Sequence, residues 1–357
     1  MTDPNAPVTV TPADDMPASS AKAVQALALK HLYIAWVRFQ RRPESMRSFI
    51  GYDLLYFPPP YAAKWAKPFG YIRQAASTIA AIRRHKPDVL WFQSPPTFFA
   101  HLLVAYRALG GRRLKVVADC HNMGLDPDVP GNFWMKIPGT IPALNSFDVV
   151  IAHNAAVGAK AAGLGVRSDR LLVLETRPAP LPVDETAGDP VPQVILVPCS
   201  YHDDEPIEML MEVAARVPDA TFKLTGNLAR AQSKNYPARA PANVQFTGYL
   251  SAEAYTHLLT NCSLVIGLTT GEGIQLSGAN EAVGAGRPMV LSDTQLLRSL
   301  FGDAALFAAN ETAPMAAAVQ DALSRQGELR QASRTLKDKR ERRWRLQAEA
   351  CLERLVP

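Results

Sequence analysis

The chain has 357 residues, 48% apolar and 20% charged, which suits a soluble globular protein large enough for two domains. Its four cysteines, Cys120, Cys199, Cys262 and Cys351, stand far apart with no Cys-x-x-Cys pair; this argues against a disulfide framework or a zinc site and fits a reducing cytoplasm. The net charge of +5 is uneven: residues 1–180 hold 21 Lys/Arg against 12 Asp/Glu, and residues 181–357 hold 17 against 21, which suggests an anionic partner at the first half, such as a membrane surface or a lipid-linked phosphate, or else scattered solvated cations on a basic protein.

Residues 1–25 are rich in Pro, Ala, Asp and Thr without an apolar core and read as a disordered lead, not a signal peptide. Short apolar runs at 31–37, 53–57, 88–92, 114–119 and 148–152 then alternate with helical patterns such as 69–84 and 98–109. That alternation implies a parallel sheet wrapped by helices, with ligands at the C-terminal ends of its strands. Residues 26–176 form this first domain. The apolar stretch 89–106 is broken by Gln93, Pro95-Pro96 and His101 and falls short of the roughly 18 residues that span a bilayer. Prolines at 178, 180, 182, 190 and 192 mark residues 177–192 as an extended linker.

A second series covers residues 193–329, with strands at 194–197, 220–224, 244–246, 264–267 and 289–291 and helices at 207–217, 252–260 and 313–323. The charged segment 330–357, containing Trp344, reads as a final helix. Its run 337–345 reads as a solvated helix face, with membrane docking as the alternative.

Between the strands ending at Gly267 and beginning at Met289, a glycine-bearing loop feeds a short helix starting near Ser277. Free backbone N–H groups and the positive dipole end at Gln275, Leu276, Ser277 and Gly278 suit a diphosphate. Glu281, one turn into the helix, is placed for the two hydroxyls of a ribose; its alternative is an ordinary solvated carboxylate. This layout is that of a sugar-nucleotide site. Asp119, His121 and Asn122 follow another strand, where a carboxylate with a raised pKa or a histidine acts as base toward an acceptor hydroxyl. The structural alternative makes Asp119 and Asn122 caps and gives His121 a backbone carbonyl. His153 also follows a strand, and Asn154 beside it reads as a helix N-cap. Ser200, in a loop with Asp203, Asp204 and Glu205, either lines a diphosphate or caps the helix near Pro206. Gly226 allows close backbone approach, with Asn227 beside it. No tightly bound cofactor or metal is expected: the histidines are isolated, and Gly284-Ala285-Gly286 lacks a dinucleotide fingerprint. No nucleic-acid-binding motif occurs.

The pair Glu272 and Glu281 ahead of Gly286-Arg287-Pro288 resembles the donor site of GT-B glycosyltransferases, in which seven residues separate two glutamates; here eight do. Trp91-Phe92-Gln93-Ser94-Pro95-Pro96, Asp119-Cys120-His121-Asn122, Asp203-Asp204-Glu205 and Gly248-Tyr249-Leu250-Ser251 resemble the chitobiosyldiphosphodolichol β-mannosyltransferases and bacterial exopolysaccharide mannosyltransferases. The resemblance implies an α/β GT-B fold of two Rossmann-like parallel-sheet domains facing a cleft, with the final helix crossing back to the first domain. It further implies hexose transfer, mannose from GDP-mannose in particular, from a nucleotide-diphosphate sugar co-substrate to a lipid-linked saccharide. Donor residues would be Glu281, Glu272, Gln275 to Gly278, Ser200, Gly226 and Asn227. Asp119 and His121 would be catalytic, and Asn122 and His153 would face the acceptor. The expected location is cytoplasmic, peripheral on the cytoplasmic membrane face, where the aromatic-basic segment 56–73 would lie among headgroups or cover the acceptor. The arginine–lysine pair that many relatives set against the phosphates is missing from the segment around Ser200. A catalytically silent, sugar-nucleotide-binding scaffold is therefore the alternative, ahead of an epimerase or dehydrogenase.

Overall fold

The computed structural model describes residues 19–60, 64–110, 114–125, 134–181 and 193–357, with the side chains of Lys64, Asn122 and Met123 excepted. The chain divides into two compact units, Met1–Arg177 with Arg342–Pro357, and Pro178–Glu341. The greater part of the proline-rich linker, residues 182–192, lies outside the described residues.

The first unit contains strands β1 (His31–Ala35), β2 (Asp53–Tyr56), β3 (Val89–Ser94), β4 (Lys115–Cys120), β5 (Val149–Ala152) and β6 (Leu171–Val173). They form one parallel sheet in the order β2-β1-β3-β4-β5-β6. Both faces are covered, so the strands read as continuous apolar runs. Period-two alternation still sorts them: Leu32, Ile34, Leu90, Phe92, Val116 and Ala118 enter one core, and Tyr33, Ala35, Val89, Trp91 and Val117 the other.

The second unit repeats the plan with β7 (Gln193–Pro198), β8 (Ala220–Thr225), β9 (Val244–Gly248), β10 (Leu264–Gly267), β11 (Met289–Ser292) and β12 (Ala305–Ala308). Its parallel order is β12-β11-β10-β7-β8-β9. In each sheet the chain reverses its direction of growth beside the first strand, between β1 and β3 and between β7 and β10. The strand ends at such a reversal splay their loops apart and leave a crevice for ligands.

Three findings depart from the sequence reading. Residues 1–18 lie outside the described residues, but Ala21–Leu27, which straddles the expected end of the disordered lead at residue 25, is a helix capped by Ser20 with Ala23 and Ala26 buried against the first unit's core. Small alanines at helical spacing supply a packing stripe that a search for bulky apolar residues passes over. Strands β6 and β12 add edges the apolar pattern did not mark; β6 is three half-buried residues long. Finally, the charged run 337–345 is solvated on one side only, where Asp338, Lys339 and Arg343 are exposed. It lies in the helix Gln326–Glu353, where Trp344 is fully buried, edge-on to Phe49 and beneath the Arg177 guanidinium, and Arg340 donates to Asn280 Oδ1 (2.8 Å) and the Leu300 carbonyl (2.6 Å). The remaining cations flank those two anchors. Among the described residues no helix is long and apolar enough to cross a membrane.

Candidate active site

In the first unit, Asp119 at the end of β4 is fully buried and saturated with donors. Tyr33 Oη donates to it at 2.8 Å, Arg42 Nε to both carboxylate oxygens at 3.1 Å, and His153 Nε2 at 2.9 Å. Arg42 spends its remaining donors on the Glu175 and Leu174 carbonyls, at 2.7 and 2.8 Å. The sequence reading asked for a carboxyl with a raised pKa. Burial alone pushes it up, but the adjacent Arg42 guanidinium and His153 outweigh burial and hold it well below the usual carboxylate range. An anion so tightly engaged is a poor proton acceptor: Asp119 orients its neighbours.

His121 meets His153 edge-on, with ring centroids 4.6 Å apart, and its Nε2 accepts from the Gln40 side-chain amide at 2.5 Å. Burial, with His153 and Arg42 nearby, pushes its pKa down to about 3, leaving a neutral imidazole at neutral pH. Burial and Arg42 likewise lower His153. Asp119, His121 and His153 thus form one cluster. Asn122 opens the short helix Asn122–Leu125 beside it; its side chain lies outside the description. Asn154 caps the helix Ala155–Gly163 by accepting from the Val157 N–H.

In the second unit, the loops after β7 and β10 flank the reversal and are tied together by Asp204. Its carbonyl accepts from Thr270 N–H at 2.7 Å, and its carboxylate accepts from Thr269 Oγ1 at 3.1 Å. The helix Ser277–Gly284 starts here, and no side chain caps it. Leu276 turns inward over Gly267, where a Cβ would stand 2.8 Å from Leu276 Cδ1. Gly278 lies against Pro198, whose Cγ a Cβ there would meet at 2.7 Å. These contacts draw the first turn down onto the end of β7. Gln275 is half-buried and Ser277 exposed beside that turn. Glu281 is half-buried one turn in, and its carboxylate accepts from Tyr255 Oη at 2.7 Å.

Other sequence candidates carry structural duties. Glu272 is exposed and accepts from the Gln295 N–H at 3.1 Å, at the start of the helix Gln295–Phe301. The Ser200 N–H donates to the Glu205 carboxylate at 3.0 and 2.9 Å, so neither Ser200 nor the acidic cluster caps the helix Ile207–Arg216. Arg230 donates to the Ser200 carbonyl at 2.9 Å. Asn227 caps the helix Leu228–Ser233 through the Arg230 N–H. Gly226 has φ 141°, and a Cβ there would stand 1.9 Å from the Cys199 carbonyl oxygen. The space its hydrogen leaves is filled by protein backbone, where the sequence reading placed a ligand. Arg287 of the Gly-Arg-Pro turn is buried and donates to the Thr260 and Cys262 carbonyls at the end of the helix Ala252–Asn261.

Family models match both halves of the chain: a glycosyl transferase 4-like domain over residues 6–177 and a glycosyl transferases group 1 domain over residues 192–325. The chain belongs to the GT-B glycosyltransferases. No curated protein sequence matches it. Among solved structures, HepE of Anabaena in complex with UDP-glucose is similar at a TM-score of 0.63 and 13% identity, covering 91% of this chain and 98% of its own. Sucrose-phosphate synthase of Thermosynechococcus elongatus gives 0.59 and 14%, covering 91% and 96%. The UDP-GlcNAc 2-epimerase of Methanocaldococcus jannaschii gives 0.55 and 11%, covering 82% and 92%. At these identities the likeness is one of fold.

In this GT-B glycosyltransferase the partners that sequence reasoning missed are Tyr33, Gln40, Arg42 and Tyr255. Each is defined by what it touches across the fold. A buried arginine in Gln40-Arg41-Arg42-Pro43 has no local signature separating it from its half-buried neighbour Arg41.

Proposed function

We propose that the chain transfers a hexose from a nucleotide-diphosphate sugar to an acceptor hydroxyl, with the donor on the second unit and the acceptor on the first. The observation that carries this is the uncapped start of the helix Ser277–Gly284 at the β7/β10 reversal, with Glu281 steadied by Tyr255 one turn in. First-turn N–H groups and the helix dipole favour the diphosphate, and a fixed carboxylate accepts from both ribose hydroxyls. Gln275 to Gly278 and Glu281 are the donor contacts in this reading. Catalysis then comes from alignment of the two substrates and stabilisation of the departing diphosphate.

On the acceptor side, burial holds His121 as a neutral imidazole and a weak base, and Asp119 is locked in its ion pair, so both orient the acceptor in this reading. His153 and Asn122 line the same strand ends. The resemblance of the Gln-x-Pro-Pro and Asp-x-His-Asn segments favours GDP-mannose as donor and a lipid-linked saccharide as acceptor, in exopolysaccharide or glycolipid assembly at the cytoplasmic membrane face. A UDP-sugar donor is the second reading, favoured by the UDP-glucose in the HepE complex.

Incubation with GDP-mannose or UDP-glucose and a polyprenyl-diphosphate-linked saccharide tests the proposal. Sugar transfer with release of the matching nucleoside diphosphate supports it. Nucleotide binding without transfer to any acceptor tried favours the silent scaffold.

A further inference from the structure

The helix Lys67–His85 carries apolar residues on its outer side as well as its inner one. Its inner side sets Ala81 and Ile82 in the core with Gly70, Gln74 and Thr78 buried beside them, while two further large apolar residues face solvent: Phe69 is 61% exposed and Ile72 67%. Trp65, in the turn leading into the helix, is 78% exposed. A helix that only covered a sheet would carry these residues on the inner face. Positions 65, 69, 72 and 76 recur at helical spacing, and Arg73, Arg83 and Arg84 fall on the same exposed side. The neighbouring helix Phe98–Ala108 joins through Phe98, edge-on to Tyr71 at 5.3 Å. Beyond its end Leu109 is 87% exposed. Leu109 lines a hollow of about 440 Å³ with Ile79, Leu102 and Tyr106, and Arg83 also lines it.

The charge of this region is one-sided. Residues 54–118 contain ten Lys/Arg and a single acidic residue, Asp88, which accounts for the whole excess of the first half. Asp88 accepts from the Lys30 N–H, and Asp53, just before this run, faces His85 at 3.4 Å; both lie at the C-terminal end of the helix, away from Trp65, Phe69 and Ile72.

We propose that this face, centred on Trp65, Phe69 and Ile72 and ringed by Lys67, Arg73, Arg83 and Arg84, docks on an anionic lipid bilayer. Aromatic and aliphatic side chains enter the headgroup boundary, and the cations meet acidic headgroups. Nucleic acid would use the cations but gain nothing from Ile72 or Leu109. The inference deepens the proposed function, resting on the lipid-linked acceptor only for its purpose.

Vesicle co-sedimentation of the full chain, with neither donor nor acceptor present, tests it. Binding to phosphatidylcholine vesicles containing about 30% phosphatidylglycerol is expected to exceed binding to pure phosphatidylcholine at least tenfold and to fall in 0.5 M salt. Trp65 fluorescence should shift to the blue on binding. The triple variant W65S/F69S/I72S should lose at least tenfold in partitioning while keeping its unfolding midpoint, and R73E/R83E/R84E should do the same. Failure to bind anionic vesicles, undiminished binding by either variant, or a dimer that the first variant converts to monomer would overturn the proposal. Preference for RNA over vesicles would also overturn it. Transfer to a detergent-dispersed acceptor by a protein that ignores vesicles retains the transferase reading and removes the docking; vesicle binding without transfer does the reverse.

Discussion

Arg42 Nε donates to both carboxylate oxygens of Asp119 at 3.1 Å, in a position where neither side chain has meaningful contact with solvent. The pair ties the helix Arg41–Ile50 to the end of β4, and Arg42 continues to the carbonyls after β6. Removing one member leaves the other as an uncompensated buried charge. Arg42→Met should cost about 3–5 kcal/mol in denaturant-induced unfolding, and Asp119→Leu a similar amount. The double variant should recover much of either loss. A cost below about 1 kcal/mol for Arg42→Met would show the pair to be dispensable.

The histidines give the fold an acid limb. An unfolded histidine takes up its proton near 6.5, whereas folded His121 stays neutral until about 3. Between those values the unfolded chain binds more protons, so stability is full above about pH 7 and falls as pH drops. His153 acts in the same direction, and Asp119 adds its loss below its ordinary 3.8. From pH 6.5 to 5, His121 should contribute a loss of about 2 kcal/mol, and His121→Asn should flatten that part of the slope. An unfolding free energy unchanged between pH 7.5 and 5 would contradict the burial argument.

Gly226 is a packing requirement. A methyl group there would overlap the Cys199 carbonyl, and φ 141° disfavours any side chain. Gly226→Ala should destabilise by about 2–4 kcal/mol and move the β7 loop. At Gly273 a methyl group would meet nothing within 4 Å, so alanine should be accepted there at a cost within about 0.5 kcal/mol. Thermal unfolding of the two variants separates them; equal midpoints would sink the argument.

Glu272 and Glu281 should behave differently despite their symmetrical appearance in the sequence. Glu272 is exposed and serves one N–H of the next helix. Glu272→Ala should cost about 0.5–1 kcal/mol of stability and leave nucleotide affinity within twofold. Calorimetric titration with the nucleoside diphosphate checks this, and a tenfold loss of affinity would return Glu272 to the donor site.

The two α/β series were legible because parallel strands buried on both faces make dense apolar runs, and the helices between them keep a 3.6-residue period. The start of the helix at Ser277 was legible because a glycine loop before an apolar-periodic segment has few other uses. What stayed hidden was pairing across the fold. Nothing near Asp119 announces that Arg42, 77 positions earlier, neutralises it, and so a carboxylate at a strand end looked like a base. Gly226 and Asn227 looked like a ligand cradle for the same reason: the Cys199 backbone and the Arg230 N–H that occupy them are visible only in three dimensions. Arg287 was noticed as part of a motif, while its grip on the Thr260 and Cys262 carbonyls was not.

The central claim is that the second unit holds a nucleoside diphosphate at the start of the helix Ser277–Gly284 with Glu281 on the ribose. Thermal unfolding of the wild-type chain and Glu281→Ala against GDP, UDP, ADP and NAD tests it most directly, because a ligand that binds only the folded state raises the midpoint. The account predicts a rise with GDP or UDP that Glu281→Ala abolishes without lowering the ligand-free midpoint by more than a few degrees. A rise with NAD alone, or one that survives unchanged in Glu281→Ala, would contradict it.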